Sequence, residues 1–174
     1  MKNTPSMASL QDEIQILRAK LYDDVTRLPN RTLFFDRLEQ AIMRAKREIS
    51  VLGLLVLDVT TLQDKALLKT IADSLTNCVR ETDSTAYLGG DEFAIILPGI
   101  SKYEDAASIS EKIIAALAEI QSHGNRIDIS IGIGLYPIDG NSLEKLFSNT
   151  SVATDASKQN GNNNSTYFSS ISGY

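Results

Sequence analysis

Several short stretches of this chain carry residue types that could do chemistry. Gly89-Gly90-Asp91-Glu92-Phe93 sets two carboxylates directly after two glycines. Glycines let a backbone turn sharply and approach a phosphate closely, and carboxylate oxygens can hold a divalent cation. Taken alone, the same residues are equally the signal of a tight hairpin turn. Asp58, at the end of an apolar run, is either a further cation ligand or a strand-ending acid in a turn. Arg80 and Asp83 combine a planar fork of donors with an acceptor three residues on. The pair suits a phosphate or the edge of a nucleobase, and equally a helix-end ion pair. Lys158 could meet a phosphate, although a lysine near a helix C-terminus also answers the helix dipole. His123, the only histidine, lies beside Gly124 without partners at metal spacing and reads as a surface residue.

The elements that must position these groups follow from hydrophobic periodicity. Leu10, Ile14, Leu17 and Leu21 draw one helical stripe, a two-heptad seam that fits a terminal helix packed on its own domain as well as a dimeric coiled coil. After the Pro29-Asn30 turn, Leu33, Phe34, Leu38, Ile42 and Met43 predict a helix up to about Lys46. Val51 to Leu57 is nearly all apolar and predicts a strand buried on both faces. Leu67, Leu68, Ile71, Leu75 and Val79 mark the next helix, and Ser84 to Leu88 with Phe93 to Leu97 form a hairpin around the glycine pair. Ala106 to Ile120 is again helical. From Ile127 to Leu135 isoleucines and a leucine alternate with Asp128, Ser130, Gly132 and Gly134, a strand with an unusually small second face. Leu143 to about Lys158 reads as a last helix weakened by Thr150, Ser151 and Thr154, followed by a polar turn and a short strand at Thr166 to Phe168. The order β, α, ββ, α, β, with extra helices at both ends, predicts an α+β fold of ferredoxin-like palm type, with a mainly antiparallel central sheet and flanking helices.

Composition narrows the function classes. At 174 residues and 43% hydrophobic, the chain suits one compact domain with short flanks. Its net charge of -5 and pI near 4.9 provide no basic field for a nucleic acid, though a small nucleotide can be held by local groups. Cys78, the only cysteine, falls inside a helical pattern and reads as a buried, inert thiol in a reducing compartment. No apolar run reaches the length of a membrane span and the first residues lack the pattern of a signal peptide, so the expected location is the cytoplasm.

Four separated stretches, in order, resemble the GGDEF domain family. Asp23-Asp24-Val25-Thr26-Arg27-Leu28-Pro29-Asn30-Arg31 is similar to the D-x-L-T-x-L-P-N-R opening of that family, and Gly89 to Phe93 to its signature. Ile129-Ser130-Ile131-Gly132 resembles its S-I-G strand, and Lys158 with Gly161 its closing A-K-x-x-G-R-N. On this resemblance residues 1–22 are an N-terminal helix or linker and 23–170 the domain. The resemblance implies diguanylate cyclase chemistry: two GTP molecules joined into cyclic di-GMP across a homodimer, a ribose 3′-hydroxyl attacking an α-phosphorus and pyrophosphate leaving. It further implies Mg²⁺ held by Asp58, the Val59 carbonyl, Asp91 and Glu92, with one of the last two helping to activate the hydroxyl. Phosphates would meet Gly89, Gly90 and Lys158, and cyclic di-GMP would bind as an inhibitory product at Arg80 and Asp83, with Lys112 near a secondary position of that site. Such chemistry depends on positioning and on metal ions that neutralise developing charge. Members of the family commonly carry other signalling domains.

The chain also departs from the family pattern. Where the family runs D-x-D-x-F-K-x-I-N-D and then a glycine-histidine-glycine-aspartate turn that seats guanine, this chain has Asp58-Val59-Thr60-Thr61-Leu62-Gln63-Asp64-Lys65 and enters the next helix. Thr60 replaces the second acid and Leu62 the phenylalanine, Asn162 stands where the closing arginine belongs, and Tyr87 replaces the arginine before Leu88. Each lost specific contact costs on the order of 1 kcal/mol or more. The expectation is a signalling module that keeps the fold and the product site but makes little cyclic di-GMP. A working cyclase, and a structural domain that regulates a neighbour without binding nucleotide, are the alternatives.

Overall fold

The computed structural model describes residues 6–60, 64–122 and 124–173. Thr61, Leu62, Gln63 and His123 lie outside them.

Helix α1 (Met7–Leu21) starts at Ser6, whose side chain accepts from the Ser9 amide. None of its residues is buried, and Ile14 and Leu17 remain 50% and 57% exposed. The heptad seam is thus not packed on its own domain, which removes one of its two readings. Beyond it the Asp23 carboxylate accepts from the Val25 and Thr26 amides and from the Thr26 hydroxyl. That Asp-led turn delivers Asn30, which caps α2 (Arg31–Glu48) by accepting from Leu33 N. Phe34, Leu38, Ile42 and Ala45 form the buried stripe of α2, whereas Met43, expected with them, is exposed.

Strand β1 (Val51–Val59) is the middle of a five-stranded sheet in the order β2-β3-β1-β6-β7. It pairs antiparallel with β3 (Glu92–Ile100) on one side and β6 (Ile129–Tyr136) on the other. Strand β2 (Ser84–Gly89) lies outside β3. The outer strand β7 (Asn164–Tyr167) runs parallel to β6, because the connection is a full helix, α5 (Leu143–Gln159). The expected core is present as β1, α3 (Lys65–Cys78), β2, β3, α4 (Glu104–Ala118) and β6. Alternate side chains of β1 feed two cores. Leu55, Leu57 and Val59 pack toward α3 and α4, and Leu52, Leu54 and Val56 toward α2 and α5. Full burial of such a side chain stabilises by about 1.5–3 kcal/mol, so β1 anchors both layers.

The small face of β6 has a direct cause. A side chain at Gly132 would run into the Thr150 carbonyl and the Thr154 amide, and one at Gly134 into the Thr150 hydroxyl. Helix α5 therefore lies close on the sheet. Thr150 and Thr154, which weaken the helical pattern, are buried there, and the Thr154 hydroxyl donates to Val56 O at 2.9 Å. Several boundaries differ from expectation: α4, read from Ala106 to Ile120, runs from Glu104 to Ala118, β3 continues past Leu97 to Ile100, and α3 stops at Cys78, before Val79. Strand β6 begins at Ile129 rather than Ile127, since β1 ends opposite it at Val59; a short hairpin of β4 (Gln121–Ser122) and β5 (Asn125–Arg126) precedes it. The last strand runs from Asn164 to Tyr167, and Phe168 opens helix α6 (Phe168–Ile171). Cys78 is buried, and burial pushes its thiol up while the Lys112 charge pulls the other way. No helix among the described residues is long and apolar enough to cross a membrane.

Candidate functional site

The turn between β2 and β3 is made by Gly90 and Asp91, one residue later than the glycine pair suggested, because Gly89 still pairs with Glu92; Gly89 and Gly90 have φ of 105° and 57°. Space is not the reason for glycine, since an added side chain would meet nothing at either position; the left-handed backbone is. Tyr87 fastens the tip. Its hydroxyl donates to Gly90 O at 2.8 Å, its ring packs on Phe93, and its amide donates to Pro29 O. Burial first, then the charges of Asp23 and Asp91, push the Tyr87 phenol above its ordinary range, so it stays neutral and able to donate. The Val59 amide donates to Asp91 O at 2.8 Å, which ties the hairpin tip to the end of β1.

Asp58 and Glu92 are register partners on β1 and β3, and Asp58 also lies opposite Ser130 of β6. Each acid is met by a cation from a helix. Lys158 Nζ, from the last turn of α5, is 3.1 Å from Asp58 Oδ2, and Arg31 Nη1, at the start of α2, is 3.3 Å from Glu92 Oε1. The Arg31 guanidinium also stands over the rings of Phe35 and Phe147, at 5.2 and 5.7 Å. Both ion pairs are substantially exposed, so each contributes little to stability and is open to displacement.

These acids are hard oxygen donors of the kind magnesium takes, two of them facing one another across a strand pair and a third adjoining in the turn. Their chemistry suits a divalent ion. They do not form a complete cage: no group of three or more acidic, histidine or cysteine ligands occurs among the described residues.

Arg80 and Asp83 lie at the opposite end of β2 from Gly89, roughly 15–20 Å away at the usual rise of a strand. The helix-end ion pair does not form there among the described residues. Asp83 Oδ2 instead accepts from the Arg80 amide at 2.8 Å, while the Asp83 amide donates back to Arg80 O. A cleft of about 220 Å³ is lined by Leu28, Thr76, Val79, Arg80, Glu81, Asp83 and Thr85. Lys112 reaches the same region, its amine donating to Cys78 O at the C-terminal end of α3.

Two groups at the first site were not singled out in the sequence. Asp64 caps α3 through the Ala66 and Leu67 amides and lines a cleft of about 460 Å³ with Asp23, Lys65, Tyr87, Gly90 and Asp91. An acid directly before a helical run was the available signal. Arg31, by contrast, carried no signal for Glu92, because 61 residues separate the two along the chain. Asn162 donates to Asp128 Oδ2, and Asn163 to Asp128 Oδ1.

The diguanylate cyclase GGDEF domain profile matches residues 20–164. The bifunctional diguanylate cyclase/cyclic di-GMP phosphodiesterase MucR of Pseudomonas aeruginosa is 34% identical over 169 residues, covering 90% of this chain and 24% of that protein. Diguanylate cyclase TpbB of the same species is 33% identical, over 87% of this chain and 38% of that protein. The chain thus spans well under half the length of these relatives. Among solved structures, the GGDEF domain of TpbB superposes with a TM-score of 0.78 at 29% identity, covering 84% of this chain and 93% of that one. The coiled coil and GGDEF domain of DgcB from Caulobacter crescentus, solved with cyclic di-GMP, gives 0.82 at 22% identity over 92% of each chain, a likeness of fold alone.

Proposed function

Because this chain belongs to the GGDEF domain family, we propose that it serves cyclic di-GMP signalling as a domain that binds cyclic di-GMP at Arg80 and Asp83 and turns over GTP slowly or not at all. The observation that carries the reading is the link between β1 and α3. Residues 60–64 alone join them, with none of the asparagine, histidine and glycine pattern that resembles a guanine seat. In phosphoryl transfer most of the catalysis is positioning, and a substrate whose base is not gripped seldom holds its hydroxyl in line.

The residues of the first site keep recognisable roles in this reading. Asp58, the Val59 carbonyl, Asp91 and Glu92 would hold Mg²⁺, which when bound supplies neutralisation of phosphate charge. Gly89 and Gly90 let the backbone approach phosphate, and Lys158 exchanges Asp58 for a phosphate oxygen. A second reading, a working cyclase, is favoured by Asp64, an acid beside Gly90 and Asp91 that could accept from a base. A domain that only regulates a neighbour is favoured by nothing specific in the site.

Partners follow from α1 and from length. The exposed seam Leu10, Ile14, Leu17 suits a parallel coiled coil with a second copy, and further signalling domains accompany a chain that spans 24% of MucR. The buried free thiol of Cys78 accords with a reducing cytoplasm. Calorimetric titration with GTP, GDP and cyclic di-GMP, with and without Mg²⁺, tests the proposal. Cyclic di-GMP is expected to bind and Arg80→Ala to abolish it, with GTP weak throughout; tight GTP binding with no cyclic di-GMP binding overturns it.

A further inference from the structure

We infer that Thr85 is a ligand-contacting residue of the Arg80–Asp83 cleft, its hydroxyl hydrogen-bonding the base edge of the guanine nucleotide seated there. The inference rests on the reading of that cleft as a cyclic di-GMP site. Thr85 stands on edge strand β2 opposite Ile95, is only 6% exposed, and lines the cleft. Its Oγ1 is buried without a hydrogen-bond partner, the one such side-chain atom among the described residues. A buried hydroxyl left unpaired is costly, and native interiors satisfy nearly all of them, so an orphan at the wall of a cleft points to a partner that arrives from outside.

The other polar groups of the cleft are spoken for or differently placed. Thr76, the second hydroxyl on the wall, donates back to Ala72 O. Asp83 spends Oδ2 on the Arg80 amide and keeps Oδ1, while the Arg80 guanidinium has no partner among the described residues and stands exposed at the rim. Glu81, also on the rim, repels a bare phosphate that would reach inward. The inner wall is Leu28, Val79 and Thr85, an apolar slot with one hydroxyl that can both donate and accept. That combination takes the flat, uncharged edge of a purine, with the guanidinium left to meet the phosphate outside. Thr85 thereby sets affinity and base choice beyond what Arg80 and Asp83 provide.

The test measures cyclic di-GMP binding by calorimetry, together with the thermal midpoint of the free protein, for the full chain and for Thr85→Val, Thr85→Ser and Arg80→Ala. Valine keeps the shape and removes only the hydroxyl. The expected result is about fivefold weaker binding in Thr85→Val, the loss of one neutral hydrogen bond, near-complete recovery in Thr85→Ser, and a midpoint for free Thr85→Val equal to or above wild type. Binding by Thr85→Val within twofold of wild type, while Arg80→Ala loses it, overturns the role of Thr85 and leaves the site standing. A lowered midpoint in free Thr85→Val shows that the hydroxyl is satisfied within the fold and also overturns the inference. Failure of the wild-type chain to bind cyclic di-GMP removes the site and Thr85 together.

Discussion

Asp58 and Glu92 stand directly opposite one another on β1 and β3, and each is paired with a cation from a different helix, Lys158 and Arg31. Two like charges on neighbouring strands are unfavourable unless something positive lies between or beside them. In the free protein the two basic side chains fill that role, and a divalent ion would compete with them.

A first prediction follows for metal. Mg²⁺ or Mn²⁺ at about a hundredfold over its dissociation constant stabilises by about 2.7 kcal/mol, a rise of roughly 5–10 °C in Tm for a domain of this size. The rise is expected in wild type, absent in Asp58→Ala, and reached at lower metal concentration in Lys158→Ala, where the competing ammonium is gone. A thermal scan that finds wild type indifferent to both ions would remove the metal site.

Gly132→Ala tests the seating of α5, which carries Lys158 to Asp58. The added methyl falls on backbone atoms of Thr150 and Thr154, which cannot move without shifting the helix. The expected loss is about 1–3 kcal/mol or more, read as a lower urea midpoint with unchanged slope. An unaffected midpoint would show that α5 rides loosely on β6.

The sheet was legible because its strands are written in strong patterns. Val51 to Leu57 is apolar on both faces since both faces are covered, and Gly89-Gly90 marks a turn that needs positive φ. The ends of elements were less so. Ile127 continues the alternation of β6, yet no partner residue of β1 extends far enough to pair with it. Met43 continues the stripe of α2, but its side of the helix faces solvent. At the site, the acids announced themselves by type and position. The pairing of these acids with cations was not legible, because Lys158 and Arg31 reach Asp58 and Glu92 only through the packing of α5 and α2 on the sheet. The unsatisfied Thr85 hydroxyl is invisible to any one-dimensional pattern, being a property of what surrounds it.

Asp139 gives a prediction in pH. It is 4% exposed, its Oδ2 accepts from Leu135 N at 2.8 Å, and burial raises its pKa from 3.8 despite that bond, which acts to lower it. The folded state therefore holds the proton more tightly than the unfolded chain. The stability this contributes is fully present below about pH 3.8 and is lost as pH rises through the folded pKa. Asp139→Asn, which keeps an acceptor for Leu135 and carries no charge, is expected to gain on wild type as pH is raised from 3 to 7. A constant difference in unfolding free energy across that range would mean that Asp139 titrates as in the unfolded chain.

The seam of α1 predicts self-association. Leu10, Ile14 and Leu17 are exposed along one stripe, and two heptads support only a weak coiled coil. Sedimentation equilibrium is expected to show a concentration-dependent dimer that Ile14→Asp dissociates without lowering the Tm of the domain, since Ile14 is exposed on the single chain. A strictly monomeric wild type at high concentration would exclude the seam as an interface in this chain.

The last prediction concerns turnover. With Mg²⁺ and GTP the purified chain is expected to make cyclic di-GMP far more slowly than a complete cyclase, or not at all, whatever the metal concentration. The acids Asp58, Asp91 and Glu92 can hold a metal ion that neutralises charge, but they cannot align a substrate whose base is loose, and alignment is where most of the rate in such a reaction arises. Adding metal therefore does not rescue the reaction. Insertion of the family's N-D-x-x-G-H-x-x-G-D stretch after Leu62 is expected to raise GTP affinity, measured by titration, before it raises turnover. Product measured by chromatography at a robust rate from the untouched chain, and lost in Glu92→Gln, would show that Asp64 and its cleft suffice to hold the base and that the domain is a working cyclase.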